Sequence, residues 1–221
     1  MNKSLLLLFT FVLVASGCAK PEAPETAPAE TTASAAPAAG ALLNANLVSA
    51  EELAAIPALG PEFTDAIIAQ RPYLSLTQLK AALGPQAPDD VFNVLFVPLN
   101  LNAAPAEEIQ LIPGVGDRMT REFLEYRPYV SMEQFRREMG KYVDEAEVAR
   151  LAGYVYVPID LNTASDEEIL AIPGIGSRML REFKEYRPYA DMAQFRREMG
   201  KYVDANEVAR MERYVEIRPS N

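Results

Sequence analysis

From about residue 42 onward, apolar positions fall at helical spacing, in short bursts separated by turn residues. Between 99 and 158 they are Ile109/Ile112, Met119/Phe123/Tyr126, Phe135/Met139 and Val148/Leu151, a pattern that predicts four short helices, each turning one face inward. The polar residues mark where those helices start. Ser49-x-x-Glu52 and Ser165-x-x-Glu168 predict capping boxes on a first helix, and Pro105 breaks that pattern in the middle of the chain. Ser75, Ser131 and Asp191, each followed three residues on by Gln, predict caps on a third helix, and Asp144 and Asp204 on a fourth. The second helix has to end at Arg71-Pro72, Arg127-Pro128 and Arg187-Pro188, because a residue before proline is pushed out of the α region and proline offers no N–H. The valine-rich joints Val94-Leu95-Phe96-Val97-Pro98 and Tyr154-Val155-Tyr156-Val157-Pro158 are expected to be extended and to pack one unit against the next.

These signals recur with a period. The stretch from Leu101 to Val155 returns from Leu161 to Val215, a shift of about 60 residues, with well over half the positions identical. Residues 46–98 are a weaker relative, through Glu51-Glu52-Leu53, Ile56-Pro57, Arg71-Pro72-Tyr73 and Gly84. The expected organisation is three units, 42–98, 99–158 and 159–221, each two helical hairpins around one small core. The fold class is all-α. A unit of this size lies near the lower limit for folding alone, so contact between neighbours is expected to help.

The sharpest feature within each unit is the turn between its first two helices: Pro113-Gly114-Val115-Gly116-Asp117-Arg118 and Pro173-Gly174-Ile175-Gly176-Ser177-Arg178. Proline stops one helix, the glycines permit a tight turn, and the amides at the start of the next helix form an anion site at its positive dipole end. The candidate phosphate-binding residues are Gly174, Ile175, Gly176, Ser177, Arg178 and Arg181, with Gly114, Gly116, Arg118 and Arg121 in the middle unit. Arg118 and Arg178 stand in first helix turns, where the dipole disfavours a cation. That placement suits either an external anion or an i+4 ion pair with Glu122 and Glu182. The first unit has Ala58 in place of the first glycine and puts Glu62 and Asp65 beside its turn, so no phosphate is expected there. Asp117 beside the middle turn is expected to compete for its amides. The tyrosines after Arg-Pro (Tyr73, Tyr129, Tyr189) read as core residues rather than base-stacking platforms, and Arg136-Arg137 and Arg196-Arg197 as solvated, salt-bridged faces.

Composition narrows the chemistry. The chain has no histidine, a single cysteine and a formal net charge of -10. A histidine base, a Ser-His-Asp triad and a Cys/His zinc site are therefore excluded, and no catalytic residue, metal or cofactor is expected. The net charge is opposite to that of a strong nucleic-acid binder, so any DNA contact is expected to be weak and salt-sensitive.

The N-terminus carries Lys3, an apolar run from Leu5 to Val14, and small residues before Cys18. The run is too short to span a bilayer and reads as an export signal over 1–17. Val14-Ala15-Ser16-Gly17-Cys18 resembles a bacterial lipobox. The resemblance implies cleavage before Cys18 and lipidation of its thiol, the alternative being an ordinary secretory signal with an incidental cysteine. Residues 18–41, rich in Ala, Pro, Glu and Thr, lack the apolar mass to fold and are expected to form a disordered tether. A host with two membranes would carry the protein on the outer membrane, facing the periplasm.

The string Asn-x-Ala-x-x-Glu-Glu-Ile-x-x-Ile-Pro-Gly-Ile/Val-Gly, followed eleven positions later by Arg127 or Arg187, resembles the helix-hairpin-helix domain of competence DNA receptors (ComEA-like). That likeness implies tandem helix-hairpin-helix units and sequence-independent binding of double-stranded DNA through its phosphates, from a membrane-attached tether. In that family the second hairpin also carries two glycines, whereas here Gly140-Lys141 and Gly200-Lys201 supply one glycine each, leaving the lysines as possible phosphate contacts. The Pro-Tyr-x-Ser-x-Glu pattern around Tyr129 is equally similar to the extrinsic PsbU subunit of photosystem II, which implies an envelope protein as the alternative partner.

Overall fold

The computed structural model describes residues 42–57 and 59–219; the expected export signal, the expected lipidation at Cys18 and the expected tether fall outside the described residues. The first unit contains β1 (Leu43–Asn44), α1 (Ala50–Ala54), α2 (Pro61–Ala69), α3 (Leu76–Leu83), a 3-10 turn (Asp89–Asn93) and β2 (Leu95–Phe96). The second contains β3 (Leu99–Asn100), α4 (Ala106–Ile109), α5 (Asp117–Glu125), α6 (Met132–Met139), α7 (Glu145–Ala152) and β4 (Val155–Tyr156). The third repeats it as β5 (Ile159–Asp160), α8 (Asp166–Leu170), α9 (Ser177–Glu185), α10 (Met192–Met199), α11 (Ala205–Glu212) and β6 (Val215–Glu216). The molecule is helix-rich, with a few very short strands that an all-α reading omits. In the first unit a 3-10 turn replaces the fourth helix.

The predicted caps are present. Ser49 and Ser165 form reciprocal capping boxes with Glu52 and Glu168. Ser75, Ser131 and Asp191 accept from the amides of Gln78, Gln134 and Gln194, and Asp144 and Asp204 from those of Glu147 and Glu207. Each such cap contributes roughly 1 kcal/mol by satisfying a helix-end donor.

The joints are extended and pack one unit against the next, as Tyr156 does against Tyr214 with ring centres 4.4 Å apart, and they do one thing more. Each joint pairs in parallel with the first strand of its own unit: Leu43 with Leu95, Leu99 with Val155, and Ile159 with Val215. A joint buried on its apolar side chains must still satisfy its backbone N–H and C=O groups, and the unit's own opening strand is the nearest supply. Each unit is thereby closed on itself.

An asparagine then ties the start of every unit to its middle. Asn102 accepts from the Tyr129 amide at 2.7 Å and donates to the Tyr129 carbonyl at 2.9 Å, and Asn46–Tyr73 and Asn162–Tyr189 repeat the pair. The tyrosines so positioned are almost wholly buried. Tyr129 and Phe123 meet Phe135 edge-on at 5.8 and 5.2 Å, and Tyr189 and Phe183 meet Phe195 in the same way. Burying a ring such as Phe123 stabilises the fold by about 1.5–3 kcal/mol relative to leaving it exposed.

The units do not each keep a separate core. The first two share one continuous hydrophobic cluster, and the third has its own. Phe96 packs edge-on against Tyr154 at 5.3 Å, and the Glu108 carboxylate accepts from the Thr77 amide at 3.1 Å. The third unit reaches back to the first. Arg213, lying beside the rings of Tyr156 and Tyr214, donates to the Pro98 carbonyl at 2.7 Å and to that of Tyr73 at 3.3 Å. All three pairs of units are therefore in contact. Where the second and third units meet, beside Leu42, Phe96 and Pro98 of the first, lies a half-open cleft of about 710 Å3, lined also by Val130, Met132, Tyr156 and Ile172.

Candidate anion-binding turns

The turn between the first two helices has the same build in the second and third units. Gly114 and Gly174 adopt φ of +80° and +81°, a left-handed conformation that glycine enters without a steric cost. Val115 and Ile175 point into the core and are buried, so they pin the turn rather than face a ligand. Gly116 and Gly176 are the N-cap residues of α5 and α9 in extended conformation, and neither helix receives a side-chain cap. Seven of the eleven α-helices among the described residues are capped by a side chain; the helices after these turns are not. Beyond Gly116 and Gly176, in the direction a Cβ would take, there is open space.

The first unit fills that space itself. Its turn ends at Gly60, where the Glu62 carboxylate folds back so that its oxygens lie 2.5 and 2.7 Å from the position a Cβ would occupy. α2 likewise has no side-chain cap and carries a negative charge at its start, where the dipole favours one. An internal carboxylate thus sits where the other two units stay open.

The cations divide sharply. Among the described residues, the side chains of Lys80, Arg118, Arg121, Arg136, Arg178 and Arg181 make neither a hydrogen bond nor an ion pair. Four of these six stand in the first two turns of α5 and α9, and all four are exposed. The i+4 pairs with Glu122 and Glu182 do not form. Those glutamates turn away towards Tyr142 and Tyr202, whose hydroxyls meet Tyr126 and Tyr186 at 2.8 Å. The hydrogen bond with Tyr126, and after it the neighbouring Glu122 carboxylate, raise the Tyr142 pKa, and Tyr202 is raised in the same way by Tyr186 and Glu182. Asp117 does not cap its own helix either; its carboxylate accepts from the Gln110 side chain at 2.8 Å.

The other basic clusters are engaged. Lys141 and Arg137 both bind Glu138, and Lys201 and Arg197 both bind Glu198, so the lysines of the one-glycine turns are not free for phosphate. Those lysines also stand over Tyr126 and Tyr186, at 5.0 and 4.8 Å from the ring centres. Arg196 pairs with Glu212, while Arg136 has no partner and faces the cleft. Arg127 and Arg187, which complete the sequence motif, turn inward instead of out. Each donates to a backbone carbonyl of its own unit, Ala104 at 2.6 Å and Ala164 at 2.8 Å, as Arg71 does to Val48. Burial lowers the Arg71 and Arg127 pKa values, with Tyr73 and Tyr129 opposing the shift.

Two arginines went unnoticed in the sequence. Arg210 is 3 % exposed, pairs with Glu207 and donates to the Pro173 carbonyl, filling the space under Gly174. Its counterpart Arg150 pairs with Glu147 but is 35 % exposed, and reaches only to 3.4 Å from the Cβ position of Gly114. Arg213 could have been found by contrast, since its counterpart in the middle repeat is Gly153. Comparison of the chain with protein-family models, curated proteins and solved structures found no match.

Proposed function

We propose that the three units are helix-hairpin-helix modules and that the protein binds, without catalysing a reaction, the phosphate backbone of double-stranded DNA through its second and third units. One observation carries this reading: unpaired arginines gather at the uncapped starts of α5 and α9, beside open space over Gly116 and Gly176. A phosphate placed there would accept from first-turn amides and be flanked by Arg118 and Arg121, or by Arg178 and Arg181, relieving cations held against a helix dipole. Backbone amides and arginines read no base, so the binding is independent of sequence. The lipobox-like segment and tether support an activity outside the cytoplasm, on a lipid anchor at Cys18.

Four arginines taking one phosphate each give a slope of log affinity on log salt of about -3.6. Affinity is expected near the weak, non-specific range of roughly 10⁻⁴–10⁻⁶ M, falling steeply with salt. Electrophoretic mobility shift with duplex DNA at low salt is the direct test. Arg118→Glu with Arg178→Glu is expected to abolish the shift, and Lys141→Glu with Lys201→Glu to leave most of it. A shift indifferent to the arginine pair, or no shift at all, overturns the reading.

A specific feature favours a second reading, an envelope-protein partner. The cleft between the second and third units exposes Val130 at 64 % and lies in an acidic molecule. Stoichiometric co-purification of one envelope protein in high salt, lost on Val130→Glu, would replace the DNA reading with this one.

A further inference from the structure

The first unit has no left-handed glycine in its turn, fills that turn with Glu62, and carries no unpaired arginine, yet it touches the third unit through Leu47 and Arg213. Leu47, in the loop after β1, places its Cδ2 3.1 Å from the Cβ position of Gly174, directly against the turn. Leu47 is 42 % exposed, so this contact lies at the surface and not in the core. The second contact is Arg213, which leaves α11 and donates to the Pro98 and Tyr73 carbonyls of the first unit. The Tyr156 hydroxyl of the second unit donates to the Arg213 carbonyl at 2.8 Å, so this one residue binds all three units. The corresponding position in the second unit is Gly153, against which Leu42 packs, so no equivalent hook exists there. The Gly114 turn has no neighbour from another unit within reach of its Cβ position.

We infer that the first unit is an intramolecular brace: through Leu47 and Arg213 it fixes the direction of the third unit's turn, so that the turns of the second and third units meet one polyanion together. This rests on the reading of those turns as phosphate sites. The physical gain is effective concentration. Once one turn is bound, a rigidly held second turn is already placed, whereas a swinging one must find the ligand again. Arg213 and Leu47 are positioning residues that touch no ligand.

The test uses the whole folded chain with Arg213→Ala, Arg213→Lys and Leu47→Ser, read by amide hydrogen exchange over residues 172–180 and by small-angle scattering. Duplex binding is titrated at two salt concentrations in parallel. Arg213→Ala is expected to raise exchange in the 172–180 turn about tenfold while leaving the 112–120 turn unchanged, and to enlarge the scattering radius. Duplex affinity is expected to fall about tenfold, with the salt slope reduced by roughly half as one turn drops out. Arg213→Lys, able to reach one carbonyl, restores part of each effect. Leu47→Ser lies outside the third unit, so its effect on the 172–180 turn cannot come from misfolding of that unit. Unchanged exchange at 172–180 in both Arg213→Ala and Leu47→Ser overturns the brace, whatever DNA does. Absence of duplex binding in the unaltered protein sinks the phosphate reading instead, and the exchange result then decides whether the brace exists.

Discussion

The second and third units are close copies in sequence and use their surroundings differently. Their helices begin at equivalent residues and end at them too, except that α4 stops one residue before α8, yet the same glutamate has two occupations. In the third unit Glu168 folds back onto the Ser165 amide at 2.8 Å and completes a capping box. In the second unit the N-cap is Pro105, which has no N–H to offer, and Glu108 reaches across to the Thr77 amide of the first unit. One junction is closed and shares a core; the other remains a cleft. A single proline thus converts a local cap into a bond between units. What a repeat does is decided as much by its neighbour as by its own residues.

The largest expected difference between the two copies lies under their turns. Arg210 is buried and holds the Pro173 carbonyl, so Arg210→Ala is expected to destabilise the protein by about 3 kcal/mol, the cost of breaking a buried pair. Arg150→Ala, at a half-exposed pair, is expected to cost no more than about 1 kcal/mol. Urea unfolding of the two variants checks this, and equal losses would erase the contrast.

Next comes the proline itself. Pro105→Ser restores the capping box and draws Glu108 back from Thr77. Net stability is expected to change by less than about 1 kcal/mol, since a cap gained offsets a hydrogen bond lost. Amide exchange at Thr77 is expected to rise several-fold all the same. If Thr77 stays as protected as before, Glu108 is not what closes the first junction.

The smallest difference is expected in acid, where the copies should behave alike. Hydrogen bonds from Lys141 and then Arg137 hold the Glu138 pKa below its ordinary value, and Lys201, outweighing desolvation, does the same for Glu198 with help from Arg197. A depressed carboxylate contributes stability that is complete above its unfolded pKa, about 4.3, and is lost as pH falls through the lower folded value. Glu138→Gln and Glu198→Gln are each expected to flatten the loss of stability below pH ~4, by the same amount. An effect confined to one copy would show that their tyrosine-lysine clusters are not equivalent.

What was legible in the residues was what is local. Ser and Asp caps, the Arg-Pro stops and the glycine of the turn act within four residues, and a helix is nothing more than such neighbours agreeing. The parallel bridges were hidden because Leu99 and Val155 lie 56 positions apart and neither alternates long enough to announce a strand. Arg127 and Arg187 have a role that the residues alone did not announce. They complete a motif associated with DNA, yet their place just after the second helix aims the guanidinium at Ala104 and Ala164. The freedom of Arg118 and Arg178 was likewise invisible, because it depends on Glu122 and Glu182 lying beside Tyr142 and Tyr202, residues of the second hairpin.

The short parallel bridge has a consequence for how such a chain can grow. Because Leu99 lies beside Val155, and Ile159 beside Val215, each unit is entered and left at the same edge. A gene segment copied from one such edge to the next adds a whole folded cassette without stretching the chain on either side. Later divergence at a few rim positions, a glycine in one copy and an arginine in the next, is then enough to give each cassette its own place.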